Sequence, residues 1–214
     1  MTDLTTAIGA FGGTLIDPGH PEYDEARAVF NGMIDRKPAL IARCVTVADV
    51  VGAVKLARST DSQLSVYGGG HGVTGAAVVD DAITVDLRGM KSITVDPRAK
   101  TALVEAGCTW GEVDAATQEH ALAVTGGRMS TTGVAGLALG SGSGWLERSF
   151  GFVCDNLIAA EVVTADGREV RASDTESPEP FWGLRGGGGN FGIVTAFHLH
   201  RRAEPARHAE LLDC

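Results

Sequence analysis

Lysine is scarce in this 214-residue chain. Only Lys37, Lys55, Lys91 and Lys100 occur, and acidic residues outnumber basic ones to give a formal net charge of −9. No block of basic residues supplies the electrostatic footprint that a nucleic-acid or anionic-lipid binder needs. A phosphate-bearing ligand would therefore have to be held mainly by backbone N–H groups. Cysteine is sparse as well. Cys44, Cys108, Cys154 and Cys214 stand far apart with no C-x-x-C pair, which argues against both a zinc site and a disulfide framework. No apolar run approaches the roughly 20 residues that cross a bilayer. The start, Met1-Thr2-Asp3-Leu4, lacks the basic residues of a secretory leader. These absences set the expectation of a cytoplasmic protein with no nucleic-acid or membrane partner and no metal.

Glycine, by contrast, is abundant: 29 residues, of which 17 fall within 68–75, 126–144 and 186–192. Scattered glycine would indicate a loose chain. Clustered glycine indicates positive φ, or a close approach of backbone to something bound. Hydrophobic residues make up 44%, enough to bury a sizeable core in one large domain or in two small lobes that share an interface.

Residues 1–35 mix short helical signals with Pro18, Gly19 and Pro21 and read as a lead-in. Thr46 is placed to cap a helix whose apolar face is Val47, Val50, Val51, Val54 and Ala57, at the 3.6-residue period. Residues 64–67 form a strand that runs directly into the first glycine cluster. Strand-like runs follow at 82–87, 92–96 and 102–106. Thr109-Trp110-Gly111-Glu112 has capping-box form and predicts a helix through Val113, Ala116 and His120. Residues 157–165 and 169–172 flank Asp166-Gly167, a hairpin signal. A short helix at 181–185 and a final strand at 192–200 complete the order. Parallel βαβ character comes early and antiparallel pairing later. The fold class is α+β in two lobes, a small parallel-type lobe over 36–93 and a larger mixed or antiparallel lobe with helices over 94–203, followed by a polar tail over 204–214. Trp145 and Trp182 read as packing residues. His198 and His200 alternate with Phe197 and Leu199, which places them on the solvent face of a strand.

Gly70-His71-Gly72-Val73-Thr74-Gly75 matches the GxGxxG string of nicotinamide-dinucleotide folds, with Asp96 ending a strand downstream. The context fails. A Rossmann unit needs an amphipathic helix opening at those glycines, and 76–96 carries β-branched, strand-like runs instead. Successive amides in a glycine-rich turn can nonetheless form a concave nest for an anion without any helix. Thr131-Thr132-Gly133-Val134-Ala135-Gly136-Leu137 adds hydroxyls and amides suited to a second phosphate or a ribose.

At these residues the chain resembles the PCMH-type FAD-binding domain of the vanillyl-alcohol-oxidase superfamily, and within it the berberine-bridge-enzyme-like oxidoreductases. The matching stretches are 36–43, 68–72, 132–145, 151–156, 161–167 and 181–195. The most specific is Phe181-Trp182-Gly183-Leu184-Arg185-Gly186-Gly187-Gly188-Gly189-Asn190-Phe191-Gly192. The resemblance implies FAD, with His71 at the position joined covalently to the flavin 8α-methyl group and the amides of Gly68, Gly69, Gly70 and Gly72 around the pyrophosphate. It also implies that Thr132, Gly133, Gly136, Gly140, Asn156, Val163 and Ile193 lie along the cofactor. Some members carry a second link from a cysteine in the second cluster. Met129 stands there, and a thioether has no thiolate with which to form that bond, so the expected attachment is through His71 only. Cys108 and Cys154 receive no flavin role. The implied activity is transfer of a hydride from an alcohol- or sugar-like small molecule to flavin, with reoxidation by dioxygen or another acceptor. Members of the family continue into a substrate-binding domain, and the expectation is that this chain ends before it. The expectation is thus a truncated oxidoreductase with no assignable catalytic residue, or a flavin-binding module or partner subunit without turnover. A partner chain supplying the substrate domain would fit either.

Overall fold

The computed structural model describes residue 8 and residues 10–200; the polar tail, the first residues of the lead-in and Cys214 lie outside the described residues. Six elements build the first sheet and its cover: β1 (Thr14–Ile16), α1 (Tyr23–Arg27), β2 (Leu40–Arg43), α2 (Val47–Ser59), β3 (Leu64–Tyr67) and β4 (Ile83–Asp86). The strand order is β1-β2-β4-β3. β4 runs parallel to both β2 and β3, while β1 is antiparallel to β2. All four residues of β4 are buried, as expected of a central parallel strand covered on both faces.

The second sheet is antiparallel throughout, in the order β5-β6-β9-β7-β8. Its strands are β5 (Ile93–Asp96), β6 (Thr101–Glu105), β7 (Leu157–Val163), β8 (Glu169–Ser173) and β9 (Ile193–His200). Between them lie α3 (Trp110–Gln118), α4 (Val134–Leu139), α5 (Glu147–Phe150) and α6 (Pro178–Leu184). This is the α+β architecture anticipated from the alternation of patterns, with parallel pairing early and antiparallel pairing late. The β7–β8 turn uses Gly167 at φ 78°, with the Thr164 N–H donating to Arg168 O at 2.9 Å. One continuous core joins the two sheets: Val50, Ala53 and Val85 from the first side belong to the same apolar cluster as Val104, Trp110, Val162 and Phe197 from the second.

Local chemistry explains the helix starts. At α2 the Asp49 amide donates to Thr46 Oγ1 at 3.2 Å and the Asp49 carboxylate accepts from the Thr46 amide at 2.9 Å, a reciprocal capping box. Asp49 is buried and also accepts from the Gly12 amide at 2.7 Å. Burial would raise its pKa, but these hydrogen bonds prevail and hold it below the ordinary carboxylate range. At α3 the Glu112 carboxylate accepts from the Thr109 amide at 2.7 Å. The helix ends at Gln118, so His120 falls in the turn that follows rather than in the helix.

The segment read as a lead-in contains β1 and α1 and is bound tightly to the first sheet. Asp86 is fully buried at the end of β4, where its carboxylate accepts from Arg43 Nε at 3.2 Å and from Arg88 Nε and NH2 at 2.9 Å each. Arg88 also donates to Ala26 O at 2.7 Å and lies 3.9 Å from the centre of the Tyr67 ring. The Tyr67 hydroxyl donates to Ala28 O at 2.7 Å. Removing one partner of a buried ion pair typically costs about 3–5 kcal/mol because the other charge is stranded. Asp86→Ala should therefore lower the unfolding free energy by about that amount, read as a fall in the urea midpoint at unchanged slope.

The two tryptophans depart from expectation. Trp145 is 78% exposed and Trp182 79% exposed. In α6, which starts at Pro178, Phe181 and Leu184 occupy the inward i, i+3 positions and turn Trp182 outward. Trp145 lies 5.2 Å from the Arg128 guanidinium, a cation–π contact at the surface. His198 is in the partly exposed register expected, and its Nε2 pairs with Glu161 Oε1 at 2.8 Å beside Arg171.

Candidate functional site

The first glycine cluster leaves the end of β3, and the second leads into α4. They cross with backbone against backbone. A Cβ on Gly69 would lie 2.3 Å from Gly133 N and 2.5 Å from Gly133 Cα, and one on Gly133 would lie 2.5 Å from Gly69 N. No side chain fits between them. Gly70 has φ 67°, and the Tyr67 ring fills the space that a Cβ there would need. This left-handed residue turns the loop sharply. Within the turn the amides of Gly69, Gly70, His71 and Gly72 donate to no group among the described residues. Four consecutive N–H groups in bent, side-chain-poor backbone are thus left open to an acceptor from outside the chain, the requirement for an anion nest.

The turn opens into a cleft of about 760 Å³ that all three glycine clusters help to wall. Gly68, Gly69, Gly70, His71 and Gly72 line it from one side, and Thr132, Gly133, Gly136 and Gly140 from another. Gly188, Gly189, Asn190, Gly192 and Ile193 close a third. Apart from Ser65 the remaining wall is apolar, including Leu64, Ala76, Leu87, Leu137 and Val194. This size and mix suit a largely apolar heterocycle with a polar chain attached.

Asn156 and Val163 are not among the residues that line this cleft. Asn156 is buried, and its Nδ2 donates to Phe150 O at 3.0 Å and Phe152 O at 2.8 Å, tying α5 to the following 3-10 turn (Cys154–Asn156). Val163 is fully buried in β7, opposite Ile193 in register. Among residues that sequence reasoning did not assign, Gly188, Gly189 and Asn190 sit in the third cluster, which signalled them as a group. The apolar wall residues carried no signal, because in sequence they look like ordinary core.

His71 is the one titratable side chain among the residues lining the cleft. Its ring stacks on Phe30 with centroids 4.3 Å apart and planes 15° from parallel. Phe30 is held there by its own amide, which donates to Gly70 O at 3.1 Å. The His71 Nε2 lies 3.0 Å from Thr131 Oγ1 of the second loop.

The thiols are poorly placed for chemistry. Burial pushes Cys108 up to about 12 and also raises Cys44 and Cys154. Cys44 and Cys108 are fully buried and do not line the cleft. Brief iodoacetamide treatment of the native protein near pH 8 should leave both unmodified, and mass mapping should find them alkylated only after denaturation. Met129 is 56% exposed and brings a thioether to the second loop.

A glycine-walled cleft with four unengaged amides and one imidazole among its lining residues, set between a mixed and an antiparallel sheet, is the arrangement of a nucleotide-binding domain. Residues 38–173 match the family described as FAD binding domain, and the chain belongs to that family, in its berberine-bridge-enzyme-like branch of the vanillyl-alcohol-oxidase superfamily. It is similar to (R)-6-hydroxynicotine oxidase of Paenarthrobacter nicotinovorans, 37% identical over 183 residues covering 86% of this chain and 40% of that one. Among solved structures it is similar to berberine-bridge-enzyme-like 1 of Physcomitrella patens, with a TM-score of 0.90, 32% identity and coverage of 94% and 45%. It is also similar to glucooligosaccharide oxidase of Acremonium strictum, with a TM-score of 0.90, 30% identity and coverage of 95% and 43%; that enzyme's cofactor is described as a 6-S-cysteinyl, 8α-N1-histidyl FAD. The chain spans about two fifths of the length of the curated relatives it matches.

Proposed function

We propose that this chain holds FAD in the glycine-walled cleft, attached through His71 alone, and serves as the cofactor half of an oxidoreductase acting on an alcohol- or sugar-like small molecule. The observation that carries the reading is the run of four unengaged amides at Gly69 to Gly72 beside His71, inside a cleft of suitable size. The residues fit the group: the amides suit a diphosphate, the apolar wall suits a ring system, and His71 among the lining residues offers a nucleophilic imidazole. When bound, FAD would supply two-electron acceptor chemistry, which is the cofactor's own. The protein's part is to bind, orient and exclude water. Glycine amides would fix the diphosphate, while Leu64, Leu87 and Leu137 would keep the wall dry. The named relatives, a nicotine oxidase and an oligosaccharide oxidase, support a small organic donor. Met129 in place of a cysteine supports one link rather than two.

The test is the intact mass and visible spectrum of the purified chain. The reading expects one equivalent of oxidised flavin and a mass increase of one FAD less two hydrogens. A colourless, cooperatively folding protein that ignores added FAD would overturn it.

A second reading has its own observation. The cleft is lined by no carboxylate, lysine or tyrosine, so nothing in its wall besides His71 is suited to removing a substrate proton. On that reading the chain carries flavin without turning over substrate by itself, and a partner chain or further sequence supplies the base. Anaerobic mixing with a panel of sugars and alcohols separates the two, because bleaching of the flavin band by this chain alone would exclude the second.

A further inference from the structure

We propose that Arg36 is a positioning residue for the cofactor: its guanidinium clamps the back of the first glycine loop and keeps it in the bent form that leaves its amides open to a diphosphate. The proposal rests on the reading of the cleft as the FAD site. Residues 68–78 belong to no helix or strand, so no ladder supplies donors for their carbonyls, and such groups need partners where water is restricted. The donors come from a short segment 38 to 42 residues earlier in the chain. The Phe30 amide donates to Gly70 O at 3.1 Å, and Asn31 Nδ2 donates to Val73 O at 2.9 Å. Arg36 engages three further carbonyls. Its Nη1 donates to Val78 O at 3.0 Å and Gly75 O at 3.2 Å, and its Nη2 donates to Thr74 O at 3.4 Å. Ile34 completes the contact, filling the space that a Cβ on Gly75 would need, where φ is 67°.

A planar trans peptide unit points its C=O and its N–H in opposite directions. Gly70 O faces Phe30, so the His71 amide, in the same unit, is turned away from this segment and stays unengaged. Arg36 does for the return limb of the loop what Phe30 does for the turn. A guanidinium suits the task because its N–H donors are fixed in one planar fork and stay protonated at every physiological pH. Three carbonyls gathered on one such fork cannot move independently. No ion pair among the described residues includes Arg36, so its donors are committed to the loop rather than to a carboxylate. A loop ordered before its ligand arrives loses less entropy on binding, and affinity rises accordingly.

The experiment measures FAD affinity by equilibrium dialysis for Arg36→Met and Arg36→Lys, each made in a His71→Ala parent so that binding is reversible. Hydrogen exchange of residues 68–78 and urea unfolding are followed alongside. Arg36→Met keeps the length of the side chain and removes its donors, so affinity should fall at least about tenfold, the low end for hydrogen bonds from a charged donor. The amides of Gly75 and Val78, which donate to Gly72 O at 3.0 Å and Gly75 O at 3.2 Å, should exchange faster, while those of β4 and β7 keep the parent rate. Arg36→Lys keeps the charge without the fork and should bind with an affinity between the two. A merely structural contact would lower the urea midpoint and leave the affinity, read far below that midpoint, at the parent value; that result overturns the proposal. Parent affinity in Arg36→Lys also overturns it, by assigning the effect to charge alone. Should Arg36→Met fail to fold, Arg36→Lys decides: weaker binding with faster exchange at Gly75 and Val78 supports the clamp. A His71→Ala parent that binds no FAD removes the reading of the cleft itself, before any change at Arg36, and this proposal with it.

Discussion

In His71→Ala, acid precipitation should release every flavin to the supernatant, whereas the native polypeptide should remain yellow. Alanine has no nucleophile, and no other side chain lining the cleft can take the place of the imidazole: the remainder of the wall is glycine, aliphatic residues, serine, threonine and asparagine. The buried thiols stay protonated, with Cys108 at about 12, and stand outside the wall. The change should therefore be complete rather than graded. Non-covalent uptake of FAD by His71→Ala should persist, because the amides of Gly69, Gly70 and Gly72 do not depend on the ring. Loss of covalent flavin with retained binding, read by equilibrium dialysis against FAD, separates the anchor from the grip. Yellow colour retained on denatured His71→Ala would place the attachment at another residue.

The second large effect belongs to Gly69→Ala, measured in the His71→Ala background so that affinity is an equilibrium quantity. The new Cβ would sit 2.3 Å from Gly133 N and 2.5 Å from Gly133 Cα, both backbone atoms that cannot rotate away. One loop must shift, and the shift opens the crossing that shapes the nest and brings Thr131 to His71. Overpacking of this kind costs about 1–3 kcal/mol where neighbours can give, and two backbones can give little. Affinity for FAD should fall by at least about thirtyfold, which is about 2 kcal/mol. Gly32→Ala is the matched control: its Cβ would meet nothing within 4 Å, and affinity should be unchanged. Equal affinities for the two variants would mean that the loop crossing does not shape the site.

Much of the scaffold was legible along the chain. The Val47, Val50, Val54 stripe behind Thr46 became α2, the Asp166-Gly167 turn became the β7–β8 hairpin, and the order of patterns gave parallel then antiparallel pairing. These features are local or nearly so. The short elements β1, α1 and α4 were not legible, since three to six residues carry too little periodicity to stand out and are stabilised by their tertiary contacts. Trp182 was misread for a related reason. Its neighbour Phe181 is equally apolar, and only the docking of α6 settled which of the two faced inward. Nor did the chain record the contacts of Asn156 and Val163: the fold ties one to α5 and pairs the other with Ile193 of β9.

The sequence by itself determined where the backbone could bend and come close, because that property resides in glycine and survives without knowledge of partners. It also determined that a single imidazole, and no cysteine, stands in those bends. The tertiary structure alone decided that Gly69 meets Gly133, that Phe30 and Thr131 grip His71, and that three clusters spread over more than a hundred residues wall one cleft. Such contacts depend on how two sheets pack against a shared core, and packing depends on the summed shape of many side chains that no local pattern records.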